Sequence, residues 1–198
     1  MTWPVELVDD DIGLRPLRYR DAAAWRRLRY ENRQWLAPWE ATTPDPATPP
    51  LRFTQLVRSM NREAHAGRAM PFTITLAGEV VGQLSVVGIS WGSLRSGHIG
   101  YWVSREVAGQ GIAPTAVALA TDHCLLHAGL HRIEVNIRPE NTASLRVVAK
   151  LGFRDEGLRR RYLHIDGAWR DHRTFALCTE DLPPGGLLAA YHASQRRA

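Results

Sequence analysis

One turn constrains this chain more than any other feature. Ile99, Tyr101 and Val103 alternate with His98, Gly100 and Trp102, the period-2 pattern of a strand. Soon after comes Gly109-Gln110-Gly111-Ile112-Ala113. From Ile112 to about His127, Val117, Ala120, Thr121, Cys124 and Ala128 then recur as an apolar helical stripe. A glycine-rich turn that leaves a strand and opens a helix aims several backbone N–H groups and the positive helix end at one spot, which suits a phosphate or pyrophosphate. Pro114 falls in the first helical turn, where its missing donor costs nothing. Neither GxGxxG nor GK[ST] occurs, so the dinucleotide fingerprint and the Walker loop drop out.

The rest of the chain supplies partners for this unit. Leu14 to Arg18 reads as a strand, and Asp21 is expected to cap a helix carrying Trp25, Leu28 and Trp35 that ends at Pro38. Ala41 to Pro50 is a Pro/Thr loop, and Phe53, Leu56, Val57, Met60 and Ala64 mark a second amphipathic helix. Phe72, Ile74 and Leu76 lead through Ala77-Gly78 into a strand from Val80 to about Val87, a hairpin. After the glycine-rich unit, Ile133, Val135 and Ile137 alternate as a strand. Asn141 can cap a helix with Ser144, Val147, Val148 and Leu151 inward, and Gly152 sits where a helix stops. Finally, Phe153 to Ile165 and Ala168 to Cys178 flank Asp166-Gly167, a hairpin turn.

No repeat breaks this succession, and 198 residues can bury one sizeable core. Residues 1–198 are expected to form a single domain, with about 183–198 as a C-terminal tail. No stretch approaches the roughly 20 apolar residues that span a bilayer, and the N-terminus lacks the pattern of a secretory leader, so a cytoplasmic location is expected. Cys124 and Cys178 show no metal-ligand spacing and read as reduced core residues, with no metal implied. The formal charge of +5 raises nucleic acid, but Lys150 is the only lysine among 25 cations, so the arginine excess reads as a compositional bias rather than a nucleic-acid surface.

Two motifs resemble those of the GNAT superfamily of N-acetyltransferases. Ala108-Gly109-Gln110-Gly111-Ile112-Ala113 is similar to its motif A, [QR]xxGx[GA], with Ala108 in place of Gln or Arg. Asn141-Thr142-Ala143-Ser144 and Lys150-Leu151-Gly152-Phe153 are similar to NxxAxxxYxKxGF, with Val148 at the tyrosine and Ser144 at the alanine position. That serine, together with Leu36-Ala37-Pro38-Trp39-Glu40, Ile99-Gly100-Tyr101-Trp102 and Tyr162 to His172, resembles the Rim-type (RimJ/RimL-like) branch, which acetylates ribosomal-protein N-termini, alanine among them.

The resemblance implies an α/β (α+β) GNAT fold: a mixed, mostly antiparallel sheet of about seven strands, splayed near Val103, with helices on both faces. It implies acetyl-CoA as co-substrate and direct attack by an amine, with a protein N-terminus as acceptor and the oligomeric state open between monomer and homodimer. Cofactor contacts are then expected from Trp102, Val103, Ala108 to Ala113, Asn141 and Ser144. Ser144 is the candidate general acid for the departing thiolate. For the base, His98 suits proton removal near neutral pH, and Glu134 is the second candidate. Trp39, Glu40, Tyr162 and Asp171 are candidate substrate contacts. Acetylation of a small amine such as an antibiotic or polyamine, and a non-catalytic acetyl-CoA-binding module, are the rival functions.

Overall fold

The computed structural model describes residues 2–45 and 51–197; residues 46–50 of the Pro/Thr loop lie outside them. In chain order the elements are β1 (Leu7–Asp9), β2 (Ile12–Pro16), α1 (Ala22–Glu31), α2 (Arg33–Leu36), α3 (Phe53–His65), β3 (Met70–Leu76), β4 (Glu79–Ser90) and β5 (Ser96–Val103). They continue with α4 (Ile112–Asp122), β6 (Arg132–Ile137), α5 (Thr142–Lys150), β7 (Arg154–Ile165), β8 (Ala168–Cys178) and α6 (Leu187–Gln195). No helix among the described residues is long and apolar enough to cross a membrane.

One sheet of eight strands runs in the order β1-β2-β3-β4-β5-β6-β8-β7. Every neighbouring pair is antiparallel except β5 and β6. That parallel pair is short: Ser96–Ile99 align with Arg132–Val135 and pairing ends there. Beyond it, Gly100 to Val103 stay with β4, and Asn136 and Ile137 stay with β8. The sheet therefore opens at the expected place, near Val103.

The strand alternation decides which face each side chain meets. On one face Ile99, Val135 and Ile137 join Val117, Ala120 and Val148 of α4 and α5 in the main core. On the other, Trp102 packs with Trp25 of α1, their rings 5.6 Å apart, and with Val57 of α3. Asp166 and Gly167 both take positive φ at the β7–β8 turn, as an Asp-Gly hairpin requires.

Several local expectations shift. The sheet has eight strands rather than about seven, because residues 7–9 pair with β2 as an edge too short for a periodicity signal. The first expected strand begins at Ile12 and ends at Pro16. Asp21 does not cap α1; its carboxylate accepts from the Arg18 N–H at 2.8 Å and from Arg15 at 2.7 Å, closing the turn before the helix. The helix expected to reach Trp35 breaks at Asn32. The buried Asn32 side chain bonds the Leu28 carbonyl, the Ser104 hydroxyl and the Arg105 N–H, so this joint is fastened to the chain leaving β5. A short turn, Arg105–Val107, separates β5 from the glycine-rich loop. Within residues 183–198, expected as a tail, α6 buries Leu187 and Tyr191 against the core, and its first N–H groups are capped by Asp122 at 2.7 and 3.0 Å. Cys124 is buried and Cys178 half-buried, the latter beside His131 and Glu180.

Candidate active site

The opening between β5 and β6 forms a cleft of about 400 Å³, within the range of small-molecule sites. Two contacts fix how β5 presents its backbone to it. Ser104 N–H donates to Val81 O at 2.8 Å, and the Trp102 carbonyl lies 2.3 Å from where a Cβ on Gly82 would stand. Trp102 thus turns its main chain toward β4, and by alternation Tyr101 and Val103 turn theirs into the opening. Of the two residues expected to offer backbone bonds, Val103 turns its main chain toward the opening, with its carbonyl accepting from the Trp35 indole at 3.2 Å, while Trp102 lines the cleft and turns its main chain to β4.

A strap closes one side. Leu36, Trp39, Glu40 and Ala41 line the cleft, the last bridged to Ile165 of β7. Arg138 holds the strap from beneath, donating to the Pro38 carbonyl at 2.7 Å with its guanidinium over the Trp39 ring at 5.5 Å. Glu40 is ion-paired with Arg29, whose own guanidinium stacks on Trp102. Trp39 and Glu40, the candidate substrate contacts, therefore both lie in the lining of the cleft.

The α4/α5 face supplies a pair of hydroxyls. Asn141 caps α5 as the sequence implies, its Oδ1 accepting from the Ser144 N–H at 3.1 Å, which points Ser144 into the cleft. Beside Ser144 lies the Tyr101 hydroxyl, buried and without a well-formed hydrogen bond. Burial pushes Tyr101 up to about 12, with Ser144 pulling the other way, so the phenol stays protonated at neutral pH. Along the same face Gly109 and Gly111 both adopt φ of +83°, a conformation only glycine enters freely. They open a groove with Gln110, Thr115, Lys150, Tyr191 and His192, beneath the N-terminus of α4. The Gln110 side chain donates to the Glu106 carbonyl at 3.1 Å.

The two candidate bases lie elsewhere. His98 and Glu134 face each other across the paired half of β5 and β6, with His98 Nδ1 3.3 Å from a Glu134 oxygen, and neither lines the cleft. Arg132 and Arg159 each bond Glu134 at 2.9 Å. Burial alone would raise the Glu134 carboxyl, but the Arg132 hydrogen bond and the charges of Arg159, Arg132 and His98 hold it below the usual range. A carboxylate so held is a poor proton acceptor. Asp171 also falls outside the cleft: it accepts from the N–H of Arg161, a residue at φ +50° in the irregular part of β7. Tyr162 lies one layer back, its ring 5.7 Å from His172.

Among the cleft residues to which sequence reasoning gave no task are Tyr101, read only as a strand position, and His172, quoted only within a longer segment. His172 lines the cleft on the Trp102 face and is 2% exposed. Its Nδ1 lies 3.0 Å from the Arg170 carbonyl and can only donate to it. Burial, aided by Arg138, lowers its pKa against the pull of that hydrogen bond, Asp171 and Glu140. The one signal available was alternation along β8, which sets His172 and Thr174 on one face. Thr174 in turn bonds Asn136 at 2.7 Å.

Residues 11–154 match the acetyltransferase (GNAT) domain family. The [ribosomal protein uS5]-alanine N-acetyltransferase of Escherichia coli (strain K12) is 32% identical over 185 residues, 91% of this chain and 94% of that protein. The structure of Mycobacterium smegmatis RimJ in complex with CoA-disulfide superposes with a TM-score of 0.86 at 44% identity, covering 93% of this chain and 90% of that one. That of the ribosomal-protein-S5-alanine acetyltransferase from Vibrio fischeri gives 0.80 at 29%, covering 90% and 98%.

Proposed function

From the premise that this chain belongs to the GNAT acetyltransferase family and is an N-acetyltransferase, we propose that residues 1–198 form one domain that transfers acetyl from acetyl-CoA to the N-terminal α-amine of a protein, a ribosomal protein being the leading candidate. The observation that carries this reading is the cleft itself. It passes through the sheet, with hydroxyls on the α4/α5 face and, on the opposite face, a strap-bounded mouth able to admit the end of a chain. Likeness over nine-tenths of the chain to two alanine N-acetyltransferases supports the acceptor class.

On this reading each part has a task. The free N–H groups of Ile112 and Ala113, with the glycines before them, receive the pyrophosphate at the start of α4. The backbone of Tyr101 and Val103 bonds the pantetheine arm as an added strand would, and an N–H there steadies the carbonyl oxygen as negative charge develops. The amine attacks from the Trp102 face, and Ser144 donates to the departing thiolate from the other. Trp39 and Glu40 frame the entering residue, Glu40 offering a carboxylate to the substrate's cationic end. An α-amine titrates near 7.7 to 8.0 and a lysine near 10.4, so a site without a strong carboxylate base favours the former by roughly 3.5 kcal/mol of deprotonation.

A thiol-release assay with acetyl-CoA tests the acceptor class. Peptides beginning Ala should give the highest kcat/KM, with Ser and Met lower, and lysine peptides and spermidine lowest. Turnover on spermidine alone would replace the protein acceptor with a small amine. Tight acetyl-CoA binding without turnover on any acceptor would leave a binding module.

A further inference from the structure

The amine delivered to this cleft is mostly protonated at neutral pH, so its nitrogen must lose two protons for every acetyl moved, one before it can attack and one as the amide forms. Five titratable side chains line the cleft: Arg29, Glu40, Tyr101, Arg138 and His172. The two arginines accept no proton. Glu40 is exposed and tied to Arg29, and Tyr101 sits on the thiolate face with its proton held to about 12. His172 remains. With Nδ1 donating to the Arg170 carbonyl, the proton of the neutral ring is fixed on that nitrogen, and Nε2, for which the described residues offer no partner, carries the free lone pair.

Its position fits the same role. Trp102, Asn136 and His172 share one face of the sheet, through the pairings His98 with Glu134, Asn136 with Thr174 and Arg159 with His172. Tyr101 and Ser144 lie on the other. Acid and base would then stand on opposite sides of the reacting carbon, as a nucleophile entering on one face and a thiolate leaving by the other require.

We propose that His172 is the general base: its Nε2 takes one proton from the ammonium, directly or through one water, and passes it to solvent, which frees the nitrogen lone pair to bond the acetyl carbon. The C–S bond then breaks, Ser144 gives its proton to the thiolate and regains one from water, and that water takes the second proton that the nitrogen loses as the amide forms. The products are the acetylated amine and free CoA thiol. The groups around the imidazole are Arg138 and Glu140 from the chain after β6, Arg159, its cross-strand partner, and Tyr162 from β7, and Arg170 and Asp171 from β8. The protein holds the ring neutral with its proton on Nδ1, so the base is ready at physiological pH. This inference rests on the acetyl-transfer reading above, but not on the identity of the acceptor.

The test is the pH dependence of His172→Asn, whose amide keeps a donor for the Arg170 carbonyl and has no atom at Nε2. At pH 7 kcat should fall about 10²-fold, and the deficit should narrow above the amine's own pKa, near 7.7 to 8.0, where free amine needs no base. Acetyl-CoA affinity should stay at the wild-type value, which also certifies the fold. A loss that is the same at every pH, or no loss, overturns the assignment. Should the variant not fold, the wild type decides: the low-pH limb of kcat must coincide with the His172 imidazole titration read by NMR, and a mismatch removes His172 from the reaction. Either an Ala peptide or spermidine serves as acceptor, so failure of the protein-acceptor reading appears as a change of substrate and failure of His172 as an unchanged pH profile.

Discussion

The seam between β5 and β6 has a closed half and an open half, and the two are built from opposite materials. In the closed half, His98 and Glu134 meet across the strands, and Arg132 and Arg159 grip the same carboxylate. Arg132 also pairs with Glu156, whose carboxyl is held down to about 2 chiefly by that hydrogen bond. In the open half the polar groups borne by the strands and α5 are uncharged, a protonated Tyr101, Gln83, Ser85, Asn136, Asn141, Ser144 and a neutral His172, while the charged residues of the lining, Arg29, Glu40 and Arg138, belong to the strap and its supports. The charge-dense half satisfies itself, and ion-paired carboxylates have little affinity left for a proton. The half whose strand-borne groups are neutral and partly unpartnered keeps capacity for a substrate.

The comparison predicts that substitutions in the two halves fail differently. The largest effect should come from Ser144→Ala, with kcat down about 10²-fold and acetyl-CoA affinity unchanged, the loss of an interaction made only as the thiolate departs. Glu134→Gln should do the reverse. It leaves Arg132 and Arg159 without their shared anion and should cost about 1–3 kcal/mol, read as a lower urea midpoint, with kcat within about twofold of wild type. The pH dependence has a definite sign. Because the folded Glu134 carboxyl titrates below its unfolded value, its stabilisation is complete above about pH 4.3 and is lost as pH falls through the folded value. The stability gap between wild type and Glu134→Gln should therefore close on acidification. A folded Glu134→Gln variant that lost as much turnover as Ser144→Ala would erase the distinction between the halves.

The same contrast explains which parts of the site could be read in advance. The glycine turn, the Asn141 cap, the inward row Ser144, Val147 and Val148, and the Asp-Gly hairpin are local patterns, each set within a few residues by backbone conformation or helical period. All appear where the sequence puts them. His98 and Glu134 were nominated from residue type and from one strand's alternation, which fixes the face of the sheet but not the distance along the seam. Only the register, Ile99 opposite Val135 as the last pair, shows that both lie on the closed side. His172 needs a third strand and its pairing with β6, and Asn32 fastens segments 72 residues apart. Such couplings are tertiary, and no window of sequence contains them. Asp171 shows the converse: a carboxylate in a suggestive motif serves the backbone of a strained neighbour.

The smallest expected effect is the most informative about the base. His98 has a third of its side chain exposed, and its Nδ1 approaches Glu134 at 3.3 Å without hydrogen-bond geometry, while two arginines already neutralise that carboxylate. Replacing it with glutamine should therefore change stability by no more than about 1 kcal/mol, the scale of a partly solvated ion pair. Turnover should stay within about twofold, and the low-pH limb of kcat should persist, because no step of the reaction reaches the closed half. Loss of that limb in His98→Gln, with the limb kept in His172→Asn, would carry the base across the seam. It would mean that a proton travels from the cleft through the Glu134 cluster, and that the closed half is a relay rather than a clasp.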